Sequence, residues 1–363
     1  MSKKVIILGV SGSIGTNAID VIRSHPEEFE LTAIAALQSE EKCRALAREF
    51  GCRYYVSRDS QERAVGENDA DVCLVASVGL SALKPTVMAI EKGMDIALAT
   101  KEVMVMAGEI VMRLAKKYGC SILPVDSEHS AIFQCLPGGT VEGANVERLL
   151  LTASGGPFLD SPADLSRVTV DEALNHPRWK MGPKVTIDSS TMMNKGFEII
   201  EAFHIFGVDV DRIDVVVHPE SIVHSMVTFA DGATLAQLSP PDMRVAIQYA
   251  LSFPRRWRSE RKTLDLPRIG ALTFREPDTS RFPCLRLVKE SCRRGGASNA
   301  VLAAADEFVV GKFLSREISY TAIARNLESA MNAAPNFAFE SVDDVYGVAN
   351  WVNEYLMENL IIS

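Results

Sequence analysis

The chain has 363 residues, of which 47% are hydrophobic, and a formal net charge of −9 at pH 7. This length is sufficient for two or three hydrophobic cores, so we expect more than one domain. Nucleic-acid binding depends on lysine and arginine side chains that neutralise phosphates and release their counterions. This chain is acidic and has no block of lysine or arginine that could do so. Nucleic acid is therefore not expected as a partner.

Cysteine usage and the N-terminus indicate the compartment. The seven cysteines are scattered and form no CxxC pair, which is typical of reduced thiols in the cytosol. The first four residues lead directly into a predicted strand without a signal peptide, and no apolar run is long enough to cross a bilayer. We therefore expect a cytoplasmic protein with no membrane partner.

The N-terminal third has the pattern of a dinucleotide-binding domain. The β-branched run 5–8 is followed by Gly9, Gly12 and Gly15 in a G-x-x-G-x-x-G arrangement that opens a helix. Gly12 allows the backbone to approach a pyrophosphate, and the helix N-terminus supplies free N–H groups. A tight strand-to-helix turn needs glycine even without a phosphate, but the position between strand and helix favours coenzyme binding.

Strands and helices then alternate over about 120 residues, which predicts an α/β fold with a Rossmann-like, doubly wound parallel sheet. The predicted strands are 31–36, 54–56, 72–76, 96–99 and 121–123, and the predicted helices are 39–50, 80–92 and 103–118. Ligands on such sheets bind at the carboxyl ends of the strands. One crevice could therefore hold both a nucleotide and the acidic residues that follow the last strand.

The residues after the second strand bear on the coenzyme. An NAD site usually offers an acid there for the ribose, and an NADP site a basic residue. This chain has Leu37, Gln38 and Ser39 instead. The absence of an acid favours NADP, although no arginine or lysine supports it.

Asp126 and Glu128 follow the last predicted strand of this region. On extended backbone both carboxylates would project to the same side, where they repel each other unless a cation or a shared proton lies between them. A Mg²⁺ or Mn²⁺ site with at least one further oxygen ligand would fit the pair. The alternative, which these residues alone favour, is a turn followed by a helix N-terminus, where Asp, Ser and Glu are common caps.

The middle third contains candidate anion ligands. Ser154 lies in the glycine-rich turn 152–157, which is either a hairpin turn or a phosphate contact. The segment 176–184 carries a tryptophan and a methionine between prolines, and is either a packed connection or a lid over substrate.

Residues 185–206 predict a strand running into a helix, with Ser189 and Ser190 at its cap. Asn194 and Lys195 are four and three residues before Glu198, so all three side chains can face one side of the helix. They predict a phosphate cradle beside a third metal-binding carboxylate. The alternative is an ordinary surface ion pair between Lys195 and Glu198.

The remaining chain predicts a sheet followed by helices. Strands are expected at 215–217, 222–229 and 233–238, with a hairpin turn at Asp231-Gly232. His218 and His224 interrupt this sheet, and a lone histidine in a strand is more often a core residue than a catalyst. Helices are expected at 301–313, 320–331 and 342–358.

In their order and spacing, these motifs resemble one family, 1-deoxy-D-xylulose 5-phosphate reductoisomerase. They run from the first strand to about residue 310, and comprise GxxGxIG, ATKE, PVDSEHxAIFQ, SGGPF, HPxWxMG, DSSTMMNKGFE, HPxSIVHSMV, PDMR and FPCLRL followed by GG. The resemblance implies a metal-assisted rearrangement of the ketose phosphate and its reduction by NADPH to 2-C-methyl-D-erythritol 4-phosphate, in isoprenoid precursor biosynthesis by the non-mevalonate route.

The resemblance also implies roles by position. It assigns the metal, Mg²⁺ or Mn²⁺, to Asp126, Glu128 and Glu198. It assigns catalysis to Lys101, Glu128 and the lid residues His176, Trp179 and Met181, and substrate binding to Ser127, Ser154, His176, Ser189, Asn194, Lys195 and Glu198. It assigns NADPH to Gly9, Ser11, Gly12, Ser13, Ile14, Gln38, Thr100, Lys101, Glu102, Gly182 and Met243. His218, Ser221 and His224 would line the nicotinamide end or support the metal ligands.

Two departures from the family's pattern lie on the nucleotide side. Thr100 stands where the family usually has asparagine, and residues 36–39 lack its usual glycine and asparagine. The resemblance further implies a homodimer formed through the central sheet, whose edges would otherwise be exposed. The domains it implies are an NADPH-binding domain at 1–123, an α+β catalytic and dimerisation domain at 124–265 that contains the lid, a linker at 266–286 and a helical bundle at 287–363.

Two other functions stay open on the sequence. A semialdehyde-type dehydrogenase would use Cys135 as its nucleophile, but the sequence offers no evident base for it. A non-catalytic nucleotide-sensing protein would not require three carboxylates beside a phosphate cradle.

Overall fold

The computed structural model describes residues 2–160, 164–176 and 181–363. These residues form ten β-strands: β1 (Lys3–Leu8), β2 (Phe29–Ala36), β3 (Arg53–Val56), β4 (Val72–Val75), β5 (Asp95–Leu98), β6 (Ile122–Pro124), β7 (Val146–Ala153), β8 (Ile213–Val217), β9 (Val223–Phe229) and β10 (Thr234–Leu238). They also form fifteen α-helices: α1 (Ser13–Ser24), α2 (Glu40–Phe50), α3 (Ser60–Gly66), α4 (Leu83–Glu91), α5 (Lys101–Tyr118), α6 (Ser127–Cys135), α7 (Val170–Ala173), α8 (Pro183–Ser190), α9 (Met193–Phe206), α10 (Met243–Ser252), α11 (Leu266–Ile269), α12 (Cys284–Arg294), α13 (Ser298–Leu314), α14 (Tyr320–Ala333) and α15 (Val342–Asn359). Among the described helices, none combines the length and apolarity needed to cross a membrane.

The chain divides into two compact units. The first unit comprises Met1–Met104, Gly108–Thr140 and Ser239–Leu264, and the second comprises Val105–Ala107, Val141–Leu238 and Asp265–Ser363. The functional division into four parts that the sequence suggested stays a prediction.

The first unit is built on a six-stranded sheet. Its strands lie in the order β3-β2-β1-β4-β5-β6, and every neighbouring pair is parallel. Parallel sheets are covered by helices on both faces, so their strands are apolar and buried. In this sheet, the residues from Val5 to Leu8 and from Val72 to Val75 are fully buried or nearly so. The predicted doubly wound sheet is confirmed, and all its carboxyl ends meet at one edge.

Residues 239–264 return to the first unit. Helix α10 packs against α1, α6, β5 and β6. Trp257 beyond it packs against His25 and Phe29, with ring centroids 5.2 and 5.0 Å apart, and Lys3 Nζ donates to the Leu251 carbonyl at 2.8 Å. The fold of the first unit is therefore completed by a segment distant in sequence.

The second unit combines a four-stranded sheet with a helical bundle. The strand order is β10-β9-β7-β8; β7 and β8 are parallel, and the other pairs are antiparallel. The predicted hairpin at Asp231-Gly232 joins β9 to β10. Helix α9 packs on β7 and β8, while α12 packs on α9 and α13 packs on α14 and α15. The predicted strands of this sheet and the three predicted C-terminal helices are confirmed.

Two local predictions are wrong. Residues 185–188, predicted as a strand, lie in α8, because Gly182 serves as its N-cap and Pro183 occupies its first position, where proline favours a helix. Ser189 and Ser190 therefore end α8 rather than cap α9, whose N-cap is Met192 with a φ of +62°. Of the two interpretations of Asp126 and Glu128, the structure shows the helix N-terminus: Asp126 is the N-cap of α6, and Glu128 lies in its first turn.

Candidate active site

The glycine-rich turn between β1 and α1 is tightly packed at its two ends and open at its centre. A Cβ on Gly9, which has a φ of +83°, would lie 2.5 Å from the Ala76 carbonyl oxygen, and one on Gly15 would lie 2.4 Å from the Gly9 carbonyl oxygen. A Cβ on Gly12 would meet no atom closer than 3.5 Å. Gly9 and Gly15 are thus required by the turn itself, whereas Gly12 leaves room for a ligand.

The N-terminus of α1 is available to an anion. Gly12 is its N-cap, and among the described residues no side chain caps the helix. Gly12 and Ser13 are exposed, and Ser11 and Ile14 are half-buried. Because the first N–H groups of a helix lack internal acceptors and carry its positive dipole end, this turn can bind a phosphate.

A lysine that the sequence analysis missed reaches this turn. Lys42, on the first turn of α2, donates from Nζ to the Ser11 carbonyl at 3.2 Å and to Thr16 Oγ1 at 2.8 Å. Residues 37–39 contain no basic residue, and Lys42 lies one turn of helix beyond Ser39. Gln38 is exposed, in agreement with a position open to a coenzyme.

The end of β5 presents Lys101. Thr100 is the N-cap residue of α5, but its hydroxyl does not cap the helix. The hydroxyl donates instead to the carbonyls of Val75, the last residue of β4, and of Ser77. Lys101 then begins α5, and its Nζ lies 3.0 Å from Asp126 Oδ2. Both side chains are mostly buried, at 16% and 13% exposure. Glu102 follows, half-buried in the first turn of the helix.

Asp126 and Glu128 lie at the N-terminus of α6. Asp126 is the N-cap and accepts a hydrogen bond from the Glu128 backbone N–H at 3.2 Å. Ser127 Oγ donates to Glu128 Oε2 at 2.6 Å. The buried His129, which the sequence analysis did not single out, brings Nδ1 to 3.3 Å from Asp126 Oδ1. The cap interpretation is therefore correct, and it does not exclude metal binding, because a carboxylate oxygen of each acid lies within 4.8 Å of the other.

In the second unit, one face of α9 carries the predicted polar group. Asn194 Nδ2 donates to Glu198 Oε1 at 2.8 Å, and Lys195 Nζ pairs with Glu198 Oε2. Lys195 and Glu198 are buried, at 6% and 1% exposure. The predicted convergence of these side chains is confirmed, and their burial argues against an ordinary surface ion pair.

The turn after β7 approaches the end of α8. Ser154 is not in a hairpin, because the neighbours of β7 are β8 and β9, far along the chain. Gly156 has a φ of +67°, and a Cβ there would lie 2.8 Å from the Ser189 carbonyl oxygen. Ser154 Oγ lies 3.5 Å from His176 Nε2, and burial lowers the pKa of His176. Ser154, His176 and Ser189 are thus neighbours within one unit.

A buried charged cluster lies next to Ser189. Lys184 Nζ lies 2.6 Å from Asp188 Oδ2 and 2.6 Å from Asp306 Oδ2. The spacing of Lys184 and Asp188 was visible in the sequence as an i, i+4 pair, but nothing in the sequence indicated Asp306 on α13. The cluster joins α8, which ends at Ser190, to the C-terminal bundle.

The histidines of the second sheet differ in position. His218 Nδ1 donates to the Thr273 carbonyl at 2.8 Å, and its Nε2 accepts from the N–H groups of Ile222 and Val223 at 3.2 Å each. Through both ring nitrogens, His218 holds the segment after β8; its predicted role near the nicotinamide or the metal ligands stays a prediction. His224 is buried within β9, and Ser221 has a φ of +53°.

Met181, Gly182 and Met243 are further predicted site residues. Met181 is 36% exposed, Gly182 caps α8, and the half-buried Met243 begins α10. Trp179 lies outside the described residues. Cys135 ends α6, and burial raises the pKa of its thiol to about 11, opposed by the charge of Arg256. A thiol that resists ionisation does not support the dehydrogenase alternative.

Comparisons with known proteins agree over nearly the whole chain. Residues 5–66 and 52–108 match the family described as 1-deoxy-D-xylulose 5-phosphate reductoisomerase; residues 122–206 match the C-terminal domain described under that name, and residues 238–355 match the DXP reductoisomerase C-terminal domain. Proteins named 1-deoxy-D-xylulose 5-phosphate reductoisomerase match from Thermoanaerobacter pseudethanolicus at 46% identity, covering 97% of this chain and 98% of theirs, and from Chloroherpeton thalassium at 44%, covering 98% of each.

Solved structures of similar proteins share the fold. The Zymomonas mobilis 1-deoxy-D-xylulose 5-phosphate reductoisomerase in complex with NADPH is 34% identical, covers 99% of each chain and has a TM-score of 0.91. A reductoisomerase in complex with NADPH, fosmidomycin and magnesium is 35% identical, covers 99% of this chain and 98% of its own, and also has a TM-score of 0.91.

Proposed function

The chain belongs to the 1-deoxy-D-xylulose 5-phosphate reductoisomerase family, and we propose that it converts 1-deoxy-D-xylulose 5-phosphate into 2-C-methyl-D-erythritol 4-phosphate. NADPH is the reductant, and Mg²⁺ or Mn²⁺ is the metal. The observation that carries the proposal is that one parallel sheet presents the glycine-rich turn after β1 and the acids after β6 at the same edge. Three strand spacings separate them, roughly 14 Å, a span suited to an extended dinucleotide reaching a reaction centre.

The glycine-rich turn fits the coenzyme. Gly12 has no packing role that excludes a side chain, so its missing Cβ is best explained by a group that must come close to the backbone. Ser13 and Ile14 offer N–H groups of the first helical turn to the pyrophosphate. NADPH, when bound, supplies the hydride for the reduction.

The acids at α6 fit a divalent cation. Asp126 and Glu128 present carboxylate oxygens within 4.8 Å of each other, and carboxylate oxygens are the ligands that Mg²⁺ and Mn²⁺ prefer. The Glu128 N–H and His129 orient the Asp126 carboxylate, and Ser127 orients that of Glu128. The bound ion would act as a Lewis acid and as a template for the substrate oxygens.

Glu198 is proposed as the third metal ligand. Asn194 and Lys195 each contact one of its oxygens from the preceding turn of α9, which fixes the orientation of the carboxylate. Lys195 also places a positive charge beside this buried carboxylate, which offsets the cost of burying it.

The substrate phosphate is proposed to bind Ser154, Ser189, Asn194 and Lys195. The close approach of Gly156 to the Ser189 carbonyl supports this assignment, because it brings the turn that carries Ser154 to the end of α8. Two hydroxyls, an amide and a buried ammonium are hydrogen-bond donors of the kind that phosphate recognition uses.

A lid formed by His176, Trp179 and Met181 is proposed to exclude water during the reaction. His176 supports this role through its position beside Ser154, and its lowered pKa favours the neutral imidazole at pH 7. Met181 is partly exposed, so it has apolar surface that a bound substrate could cover.

A homodimer and a cytoplasmic location complete the proposal. Strand β10 is the last strand of its sheet, and Leu235 on it is 51% exposed. An unpaired edge with an exposed leucine is a liability unless a second subunit covers it. The cysteines of the chain are free, including the buried Cys43, Cys73, Cys284 and Cys292, as expected in a reducing compartment.

The decisive experiment follows NADPH absorbance after addition of 1-deoxy-D-xylulose 5-phosphate, with Mg²⁺, with Mn²⁺, with excess chelator, and again with NADH. We expect metal-dependent turnover with NADPH. No turnover with either metal and either coenzyme would refute the proposal.

A variant separates an enzyme from a nucleotide sensor. Glu128→Gln should abolish turnover but retain NADPH binding, because Glu128 belongs to the metal site and not to the glycine-rich turn. Glu109→Gln, at an exposed position on α5, is the control and should keep both properties. Full turnover by Glu128→Gln would exclude the metal role of this carboxylate.

A further inference from the structure

Lys42 is a cation attached to the glycine-rich turn from a neighbouring helix. Its Nζ donates to the Ser11 carbonyl in the turn and to Oγ1 of Thr16, an exposed residue in the first turn of α1. Thr16 Oγ1 in turn donates to the Gly12 carbonyl at 2.8 Å. Lys42 is thereby held beside the backbone that the pyrophosphate of the coenzyme would approach.

The charge of Lys42 has no carboxylate partner within the described part of the chain. Both of its acceptors are neutral, whereas neighbouring cations are in ion pairs: Arg44 lies 2.6 Å from Glu40, and Arg23 lies 2.6 Å from Glu49. An ammonium group has three N–H donors, and two are used here. Lys42 therefore has a third N–H donor to offer an anion, and no carboxylate in the described residues offsets its charge.

The position of Lys42 corresponds to the ribose end of a bound dinucleotide. On a doubly wound sheet, the residues that follow β2 read the adenosine ribose, through an acid for a 2′-hydroxyl or a basic residue for a 2′-phosphate. Here the residues after β2 supply neither, and Ser39 turns the chain with a φ of +76° into α2. This turn brings Lys42 back toward β1, where it contacts the glycine-rich turn.

The acids near Lys42 do not cancel this assignment. Glu40 and Glu41 share the first turn of α2, but Glu40 is paired with Arg44. Glu41 is exposed to solvent, where its repulsion of a bound phosphate is weakened by salt and water.

We propose that Lys42 recognises the 2′-phosphate of NADPH and gives this chain its preference for NADPH over NADH. The inference rests on the proposed function, because it concerns the coenzyme of that reaction. It explains how the chain can use NADPH although residues 36–39 depart from the family's pattern. The contact with the 2′-phosphate is the only one that NADH cannot make, so its loss must affect the two coenzymes differently.

The test measures dissociation constants of NADPH and NADH for the full chain, by calorimetry in the absence of substrate. Lys42→Met keeps most of the aliphatic stem but removes the charge. Loss of a charge-assisted hydrogen bond should raise the dissociation constant for NADPH about tenfold or more. The value for NADH should change less than about twofold, since no phosphate contact is lost.

Two further variants control for charge and structure. Lys42→Arg should restore most of the NADPH affinity, because arginine also binds phosphate. Arg48→Met removes one positive charge from the exposed last turn of the same helix and should leave both affinities unchanged. The NADPH affinity of Lys42→Met should also depend less on salt than that of the wild type, since one phosphate contact is gone.

The outcomes are distinguishable. Equal weakening of NADPH and NADH by Lys42→Met would overturn the proposal, because it would mean that Lys42 only supports the turn through Ser11 and Thr16. Unchanged NADPH affinity would overturn it as well. If the wild type binds neither coenzyme, the proposed function itself fails, and this inference fails with it.

Discussion

Replacing Lys184 with methionine would leave two buried carboxylates without their cation. Lys184 is 23% exposed, whereas Asp188 and Asp306 are 3% and 0% exposed. In addition, the Oδ1 atoms of both aspartates are buried without a hydrogen-bond partner in the described residues. Lys184 is therefore the main compensation for the charge of both acids.

The magnitude follows from this burial. Removing one partner of a buried ion pair typically costs about 3–5 kcal/mol, because the other charge stays buried and uncompensated. Here one lysine serves two carboxylates, so we expect the free energy of unfolding of Lys184→Met to fall by at least about 3 kcal/mol at pH 7. Lys312→Met is the control, since Lys312 and Glu317 form an exposed pair on the same bundle, worth about 1 kcal/mol at most.

The loss of stability caused by Lys184→Met should depend on pH. Burial first, and then repulsion by Asp306, raise the pKa of Asp188 well above 3.8, while Lys184 opposes both. In the unfolded chain, Asp188 releases its proton as the pH rises above 3.8, but in the folded chain it retains the proton until the raised pKa is reached. The folded state therefore loses stability as the pH rises through that interval. Without Lys184 the pKa rises further, and the interval widens. The destabilisation by Lys184→Met should therefore be smaller near pH 4 than at pH 7.

Urea unfolding of the wild type and of both variants at these two pH values measures the effect. Asp306→Asn removes the excess negative charge and keeps the shape of the side chain, so it should cost far less than Lys184→Met at pH 7. If Lys184→Met and Lys312→Met prove equally mild, or if the loss does not change with pH, the reasoning about this cluster is refuted.

Three further predictions concern the active site. Gly12→Ala should weaken NADPH binding, while its free energy of unfolding should change by less than about 1 kcal/mol. Gly15→Ala should lower the free energy of unfolding by about 1–3 kcal/mol, because its Cβ would overlap the Gly9 carbonyl. Equal stability of the two variants would contradict this prediction. Asp126→Ser keeps a helix cap, so its free energy of unfolding should exceed that of Asp126→Ala by about 1 kcal/mol. In a titration, both variants should bind Mn²⁺ more weakly than the wild type. Unchanged Mn²⁺ affinity would exclude Asp126 as a ligand. Cys135→Ser should retain full turnover, and its inactivity would revive the thiol mechanism.

Much of the fold was predictable because it follows from periodic patterns. Apolar strands such as 5–8, alternating with helices, indicate a parallel sheet, and Asp231-Gly232 indicates a hairpin. The helix α8 was missed because the β-branched Val185-Thr186-Ile187 favours a strand locally. Gly182-Pro183 was the competing helix-start signal, and it prevailed because packing on α9 and α13 favours a helix there.

The site was predictable where its residues are close in sequence. Asn194, Lys195 and Glu198 meet because helical spacing brings them together. Lys42 could not be linked to Ser11, nor Lys184 to Asp306, since such contacts depend on how distant elements pack. The sequence left two interpretations open at Asp126, because a strand end and a helix cap favour the same residue types, and the structure shows the cap.

The return of residues 239–264 to the first unit has a consequence for biosynthesis. A ribosome completes the whole six-stranded sheet long before it reaches α10, so the apolar surface that α10 covers on α1, α6 and β6 stays uncovered while the intervening sheet is made. Exposed apolar surface on a nascent chain is prone to aggregation and attracts chaperones. A fragment that ends at Thr140 would keep this surface permanently, so the coenzyme-binding half should be produced with Ser239–Leu264 attached through a short linker.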